Sequence, residues 1–134
     1  MMTLSPVLRA WFVGVAVLFV ANGGWLISLQ THRFSETLVL LLWISPLIAA
    51  FVSAYLSPRK KVLLGTSLAI PSAALVAVLN FIYELFGNAV DFPGVRGGAI
   101  LFIVTLGYSV LLCALGGVAG YYLTRNRAQS VTAR

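Results

Sequence analysis

Asn80 and Glu84 stand four residues apart in the stretch NFIYELFGNAVDFPGVRGG, residues 80–98. On a helix that spacing puts an amide and a carboxylate on one face, one turn apart. A carboxylate held beside a neutral hydrogen-bonding partner in an apolar setting can bind a cation or pass a proton. Thr105 and Ser109, also four residues apart, would present two hydroxyls from a following helix, and Asn22 a second amide from an earlier one. Asn22, Asn80, Glu84, Thr105 and Ser109 therefore form a candidate polar cluster, with Ser45 at comparable depth. Its chemistry is that of a ligand or ion route. The plainer alternative is that Glu84 is a solvated acid at the end of an apolar run.

Bond-making chemistry lacks its parts. Nucleophilic catalysis needs a nucleophile with a base in reach. The only histidine, His32, lies between Thr31 and Arg33 and reads as a surface loop residue. One cysteine, Cys113, excludes an internal disulfide, a CxxC pair and a thiolate metal cluster. The chain contains no HExxH, P-loop or GxSxG motif and no paired metal-ligand motif. The expectation is no enzyme, no cofactor and no metal. A lipid- or quinone-linked enzyme ranks third among the functional readings.

The elements that must position these residues follow from composition. Of 134 residues, 60% are hydrophobic and 9% charged, against about 25% charged in a soluble domain. So apolar a chain cannot clothe a water-facing surface, and the bilayer is the expected solvent. The net charge of +6 does not point to nucleic acid, because the basic residues are not interleaved with aromatics on one polar face.

Four apolar runs occupy about residues 7–30, 37–57, 62–86 and 99–123. Each can cross roughly 30 Å of hydrocarbon at about 1.5 Å per residue. The first run is long and lacks a following A-x-A site, so a retained helix is expected over a signal peptide. Residues 124–134 read as a polar, loosely ordered cytoplasmic tail. Short connections place sequence neighbours antiparallel. The expected fold is an all-α membrane protein, a four-transmembrane-helix antiparallel bundle forming one integral membrane domain over residues 1–134.

Orientation comes from the basic residues. Arg9, Arg59, Lys60, Lys61, Arg125, Arg127 and Arg134 fall on one side, and only Arg33 and Arg96 on the other. The richer side is expected in the cytoplasm, with both termini, in the cell (inner) membrane. The bias disfavours dual-topology insertion. Arg59, Lys60, Lys61, Arg125 and Arg127 read as topology determinants and lipid-headgroup anchors. Trp25, Phe34, Tyr83 and Phe92 would mark the outer interface, and Trp11, Tyr55, Tyr121 and Tyr122 the inner one. Trp43 lies deeper, packed against lipid or helix, with cavity lining as its alternative.

Helices in lipid pack through close backbone approach. The third run offers Gly65, Ala69, Ala73 and Ala77 at intervals of four, and the fourth offers Ser109, Cys113, Gly116, Gly117 and Gly120. Ala10 with Gly14, and Ala50 with Ala54, repeat the pattern. These strips are expected inside the bundle, with an oligomer contact as the alternative. Pro46 and Pro71 should kink their helices, with Ser45 and Ser72 satisfying freed carbonyls. Gly87-Asn88 should end the third helix, Pro93-Gly94 should form a type II turn, and Arg96 can pair with Asp91 or Glu84.

The leading functional expectation is a non-enzymatic accessory or interaction subunit. Its partners would be membrane lipid and other membrane subunits or itself, and not nucleic acid. The alternative is a small oligomeric transporter or channel working through the cluster around Glu84.

Overall fold

A computed structural model describes residues 5–30 and 36–132, with side chains described to residue 28 and then from 36 to 126. His32, Arg33 and Phe34 lie outside the described residues, as does the Arg127 side chain. Every element among the described residues is a helix: α1 (Pro6–Gln30), α2 (Glu36–Leu56), α3 (Lys61–Ser67), α4 (Ala69–Leu85) and α5 (Gly94–Thr132). Four segments are long and apolar enough to cross a membrane: Pro6–Ser28, Glu36–Leu56, Lys61–Leu85 and Gly94–Asn126. That is the make-up of a multi-pass membrane protein. The last helix starts at Gly94 rather than near residue 99, and it continues through the segment expected as a loose tail.

The two prolines act differently. Pro71 lacks an N–H, so the Ser67 carbonyl loses its helical donor. The chain tightens one turn earlier. The Leu68 N–H bonds the Gly65 carbonyl at 3.1 Å, and the Ser72 N–H returns to the Leu68 carbonyl at 3.0 Å. The third run is thereby divided into α3 and α4 at Leu68. Pro46 stays inside α2. The Leu42 carbonyl that Pro46 frees accepts the Ser45 hydroxyl at 2.8 Å, as expected from the sequence. Ser72 has no such role. Its hydroxyl shares a hydrogen bond with Ser109 across to α5, at 3.1 Å.

α2 and α5 share the largest interface, and both α1 and α5 also pack on the α3–α4 span. Glycines set how closely these helices meet. A Cβ at Gly116 would strike the Leu47 carbonyl oxygen and lie 3.0 Å from the Phe51 nitrogen. At Gly120 it would lie 2.9 Å from both Ala54 Cβ and the Phe51 carbonyl, and at Gly65 2.9 Å from Gly117 Cα. Ala10, Ala50, Ala54, Ala69 and Ala73 are buried, and Ala77 is half-buried. The small-residue strips are thus used inside the chain. Leu18, Ala49, Leu68 and Cys113 complete the core with Ala50 and Ala69, and Trp11 Nε1 donates to Ser67 Oγ at 3.1 Å.

One polar atom sits badly in this packing. Ser53 is fully buried, and its hydroxyl has no hydrogen-bond partner among the described residues. An unsatisfied buried hydroxyl costs roughly 1–3 kcal/mol. Ser53→Ala should therefore raise stability by about 1 kcal/mol, read as a higher unfolding midpoint in mild detergent.

Candidate functional site

Midway along the bundle, at the level of Pro46, the packing opens. A cavity of about 260 Å³ lies among α1, α2, α4 and α5. Its lining is almost wholly apolar, with Leu42, Pro46, Val76 and Leu101 among the residues, and its few polar atoms come from Asn22, Ser45, Ser72, Thr105 and Ser109. Asn22, Ser45, Ser72 and Ser109 are each at most 3% exposed. An adjoining cavity of about 150 Å³ shares Asn22, Leu42, Val76 and Leu101, and adds Asn80, Trp25 and Tyr83. Among the described residues, no charged side chain lines either one.

These polar groups are partly committed. Asn22 Nδ2 donates to its own helix at the Leu18 carbonyl, 2.8 Å away. Its second amide hydrogen and its oxygen remain uncommitted among the described residues. The Ser72–Ser109 pair shares one hydrogen, which leaves the second hydroxyl hydrogen over. Thr105 makes no hydrogen bond among the described residues.

The side of the cavity that faces out of the bundle is built from α2 and α5. Trp43, Val104 and Tyr108 line the cavity yet are 57%, 65% and 37% exposed on the outside of the bundle. The Tyr108 hydroxyl donates to the Trp43 carbonyl at 2.9 Å. The two rings meet edge to face at 5.4 Å. This contact joins α2 and α5 on the outward side of the cavity.

The candidate cluster is therefore divided. Asn22, Thr105 and Ser109 come together, joined by Ser45 and Ser72. Asn80 reaches only the adjoining cavity, and Glu84 lines neither. Glu84 Oε2 instead accepts the Gly94 N–H at 2.8 Å, and Asn80 Nδ2 donates to the Phe92 carbonyl at 2.9 Å. The two side chains, one turn apart on α4, clasp the loop that begins α5. Gly87 is left-handed (φ 79°), as expected at the end of the helix; Gly94 is left-handed too (φ 66°), but it opens α5, and no Phe92–Val95 backbone hydrogen bond marks the expected type II turn. Arg96 makes no ion pair with Asp91 or Glu84 among the described residues.

At the opposite end, the basic cluster is divided too. Lys61 Nζ donates to the Ser57 carbonyl at 2.6 Å and the Ala54 carbonyl at 3.3 Å. It covers the orphan carbonyls that end α2. Arg59, Lys60 and Arg125 are exposed. Lys60 holds a left-handed φ of 51° to make the turn.

Sequence reasoning passed over Tyr108 and assigned Ser72 to the wrong partner. The signal for Tyr108 was present: Leu101, Thr105, Tyr108 and Ser109 recur at i, i+4, i+7 and i+8, one helix face, and all four line the cavity. Among the described residues, no group of three or more His, Cys, Asp or Glu could hold a metal ion. What the arrangement can do is bind: it offers neutral donors and acceptors in an apolar recess. No protein-family model matches the chain, and no curated protein or solved structure compared with it matches either.

Proposed function

We propose that the chain is a non-enzymatic accessory or interaction subunit of a membrane complex. It spans the cell (inner) membrane as an antiparallel four-span bundle with both termini in the cytoplasm. Facing pairs support the bundle geometry. Gly65–Gly117, Ser72–Ser109 and Asn80–Phe92 run in opposite directions along the α3–α4 span and α5. Trp43–Tyr108, Pro46–Cys113 and Ala54–Gly120 run in the same direction, as suits helices two spans apart. The charge bias supports the orientation.

The observation that carries the interaction reading is the outward face of α5. Gly107 sits there in open space, with nothing within 4 Å of an added Cβ. Ile103, Leu111 and Leu115 beside it are 67%, 68% and 60% exposed. A glycine that meets none of the described residues of its own chain gives a second helix room for close backbone approach. The transporter or channel reading draws less support, because its only acid, Glu84, is committed to the Gly94 N–H.

The test is recovery of the tagged chain in mild detergent, with native mass determination of what accompanies it. A stoichiometric membrane-protein partner is expected, and Gly107→Leu should release it while leaving the chain folded. A chain recovered alone, or only with copies of itself, overturns the accessory reading and returns weight to transport.

A further inference from the structure

We propose that the 260 Å³ cavity binds the uncharged, carbonyl-bearing head of a hydrocarbon-tailed molecule that enters from the bilayer between α2 and α5. This inference does not depend on the accessory reading, because it concerns a site within the isolated chain.

The head is uncharged because no ionised side chain among the described residues lines the recess. A buried charge without a partner is strongly disfavoured in an apolar medium. The head carries a hydrogen-bond acceptor to match the uncommitted donors, and the uncommitted Asn22 oxygen leaves room for a hydroxyl beside it. The donors are the Thr105 hydroxyl, the hydrogen left over from the Ser72–Ser109 pair, and the second amide hydrogen of Asn22. They belong to residues on α1, α4 and α5 that line the same cavity.

The tail follows from size and position. Pockets that enclose a whole small molecule are typically about 300–1,000 Å³, and this one falls just short. A head fits and a long chain does not. The side at Trp43, Val104 and Tyr108 faces outward along the apolar spans, so a tail leaving there stays in hydrocarbon. Trp43 and Tyr108 give the head flat apolar walls on that side. Two sources share this chemistry: an isoprenoid quinone, whose ring carries two carbonyls, and a neutral acylglycerol, whose esters do.

The full chain, purified in detergent, would be titrated with decylubiquinone, with dioctanoylglycerol and, as a charged control, with dioctanoyl phosphatidylglycerol. Binding is read by equilibrium dialysis. Saturable binding of one or both neutral probes, with at least tenfold weaker binding of the charged one, is expected. Binding of decylubiquinone alone assigns the site to quinones, and binding of dioctanoylglycerol alone to acylglycerols. Thr105→Val keeps the side-chain shape and removes a donor that supports no hydrogen bond in the described fold. It should weaken the bound probe about tenfold, the effect of one lost hydrogen bond to a desolvated group. Val104→Trp, on the outward side, should abolish binding by obstruction. The proposal is overturned if neither neutral probe saturates, if the charged probe binds equally well, or if both variants bind as the native chain does. A missing protein partner would bear on the accessory reading and leave each of these results unchanged.

Discussion

Gly116→Leu opens the α2–α5 interface and makes Cys113 reactive under conditions in which the native thiol is protected. Leucine is the better helix former by almost 1 kcal/mol, so propensity alone would stabilise α5. Sterics oppose it. The new Cβ would strike the Leu47 carbonyl oxygen and sit 3.0 Å from the Phe51 nitrogen. Both are backbone atoms, which cannot swing aside as the end of a flexible side chain can. Overpacking of this kind costs about 1–3 kcal/mol, occasionally more, and relief requires the two helices to part. Cys113 reports on that parting because it is fully buried, with its thiol donating to the Pro46 carbonyl at 3.4 Å. Maleimide labelling in mild detergent should be slow for the native chain and at least tenfold faster for Gly116→Leu, by about 1.4 kcal/mol per decade. Gly107→Leu makes the same chemical change in open space and should label like the native chain. Equal labelling of all three would mean that α2 and α5 do not meet at Gly116.

Glu84→Leu frees the start of α5. The first N–H groups of a helix have no partner within it, and a carboxylate there also meets the positive end of the helix dipole. Glu84 supplies both from a different helix, through the Gly94 N–H. A hydrogen bond to a charged group contributes about 1.5–3 kcal/mol, and the half-buried position of Glu84 points to the lower part of that range. Hydrogen exchange at residues 94–97 should rise about tenfold in Glu84→Leu. Glu84→Gln keeps an accepting oxygen but loses the charge, so its exchange should lie between native and Glu84→Leu. Asn80→Leu, which removes the neighbouring tie to the Phe92 carbonyl, should combine with Glu84→Leu by less than the sum of the two. Residues in one hydrogen-bonded network are not additive. Unchanged exchange in Glu84→Leu would show that the clasp does not hold the loop. A transport activity abolished by Glu84→Gln without faster exchange would restore the route reading.

Much of the architecture was written in one dimension. Hydropathy located four spans, and three of the apolar runs agree with the observed helices to within a residue or two at most ends, because length and apolarity are local properties of the chain. Intervals of four marked Gly65, Gly116 and Gly120 as close-approach positions, because a helix puts such residues on one face. Ser45 could be paired with the carbonyl freed by Pro46, and Gly87 with a left-handed helix end, because each depends on neighbours a few residues away. Tertiary structure decided everything that depends on how each helix is rotated about its own axis. Periodicity says that Asn80 and Glu84 share a face; it does not say whether that face meets Asn22 or the loop before α5. The glycine contacts at residues 65, 116 and 120 decide it, because they set the rotation and distance of α2, the α3–α4 span and α5. That placement turns Glu84 to Gly94 and Ser72 to Ser109. It also leaves a neutral recess behind Trp43 and Tyr108 where the sequence suggested an acidic one.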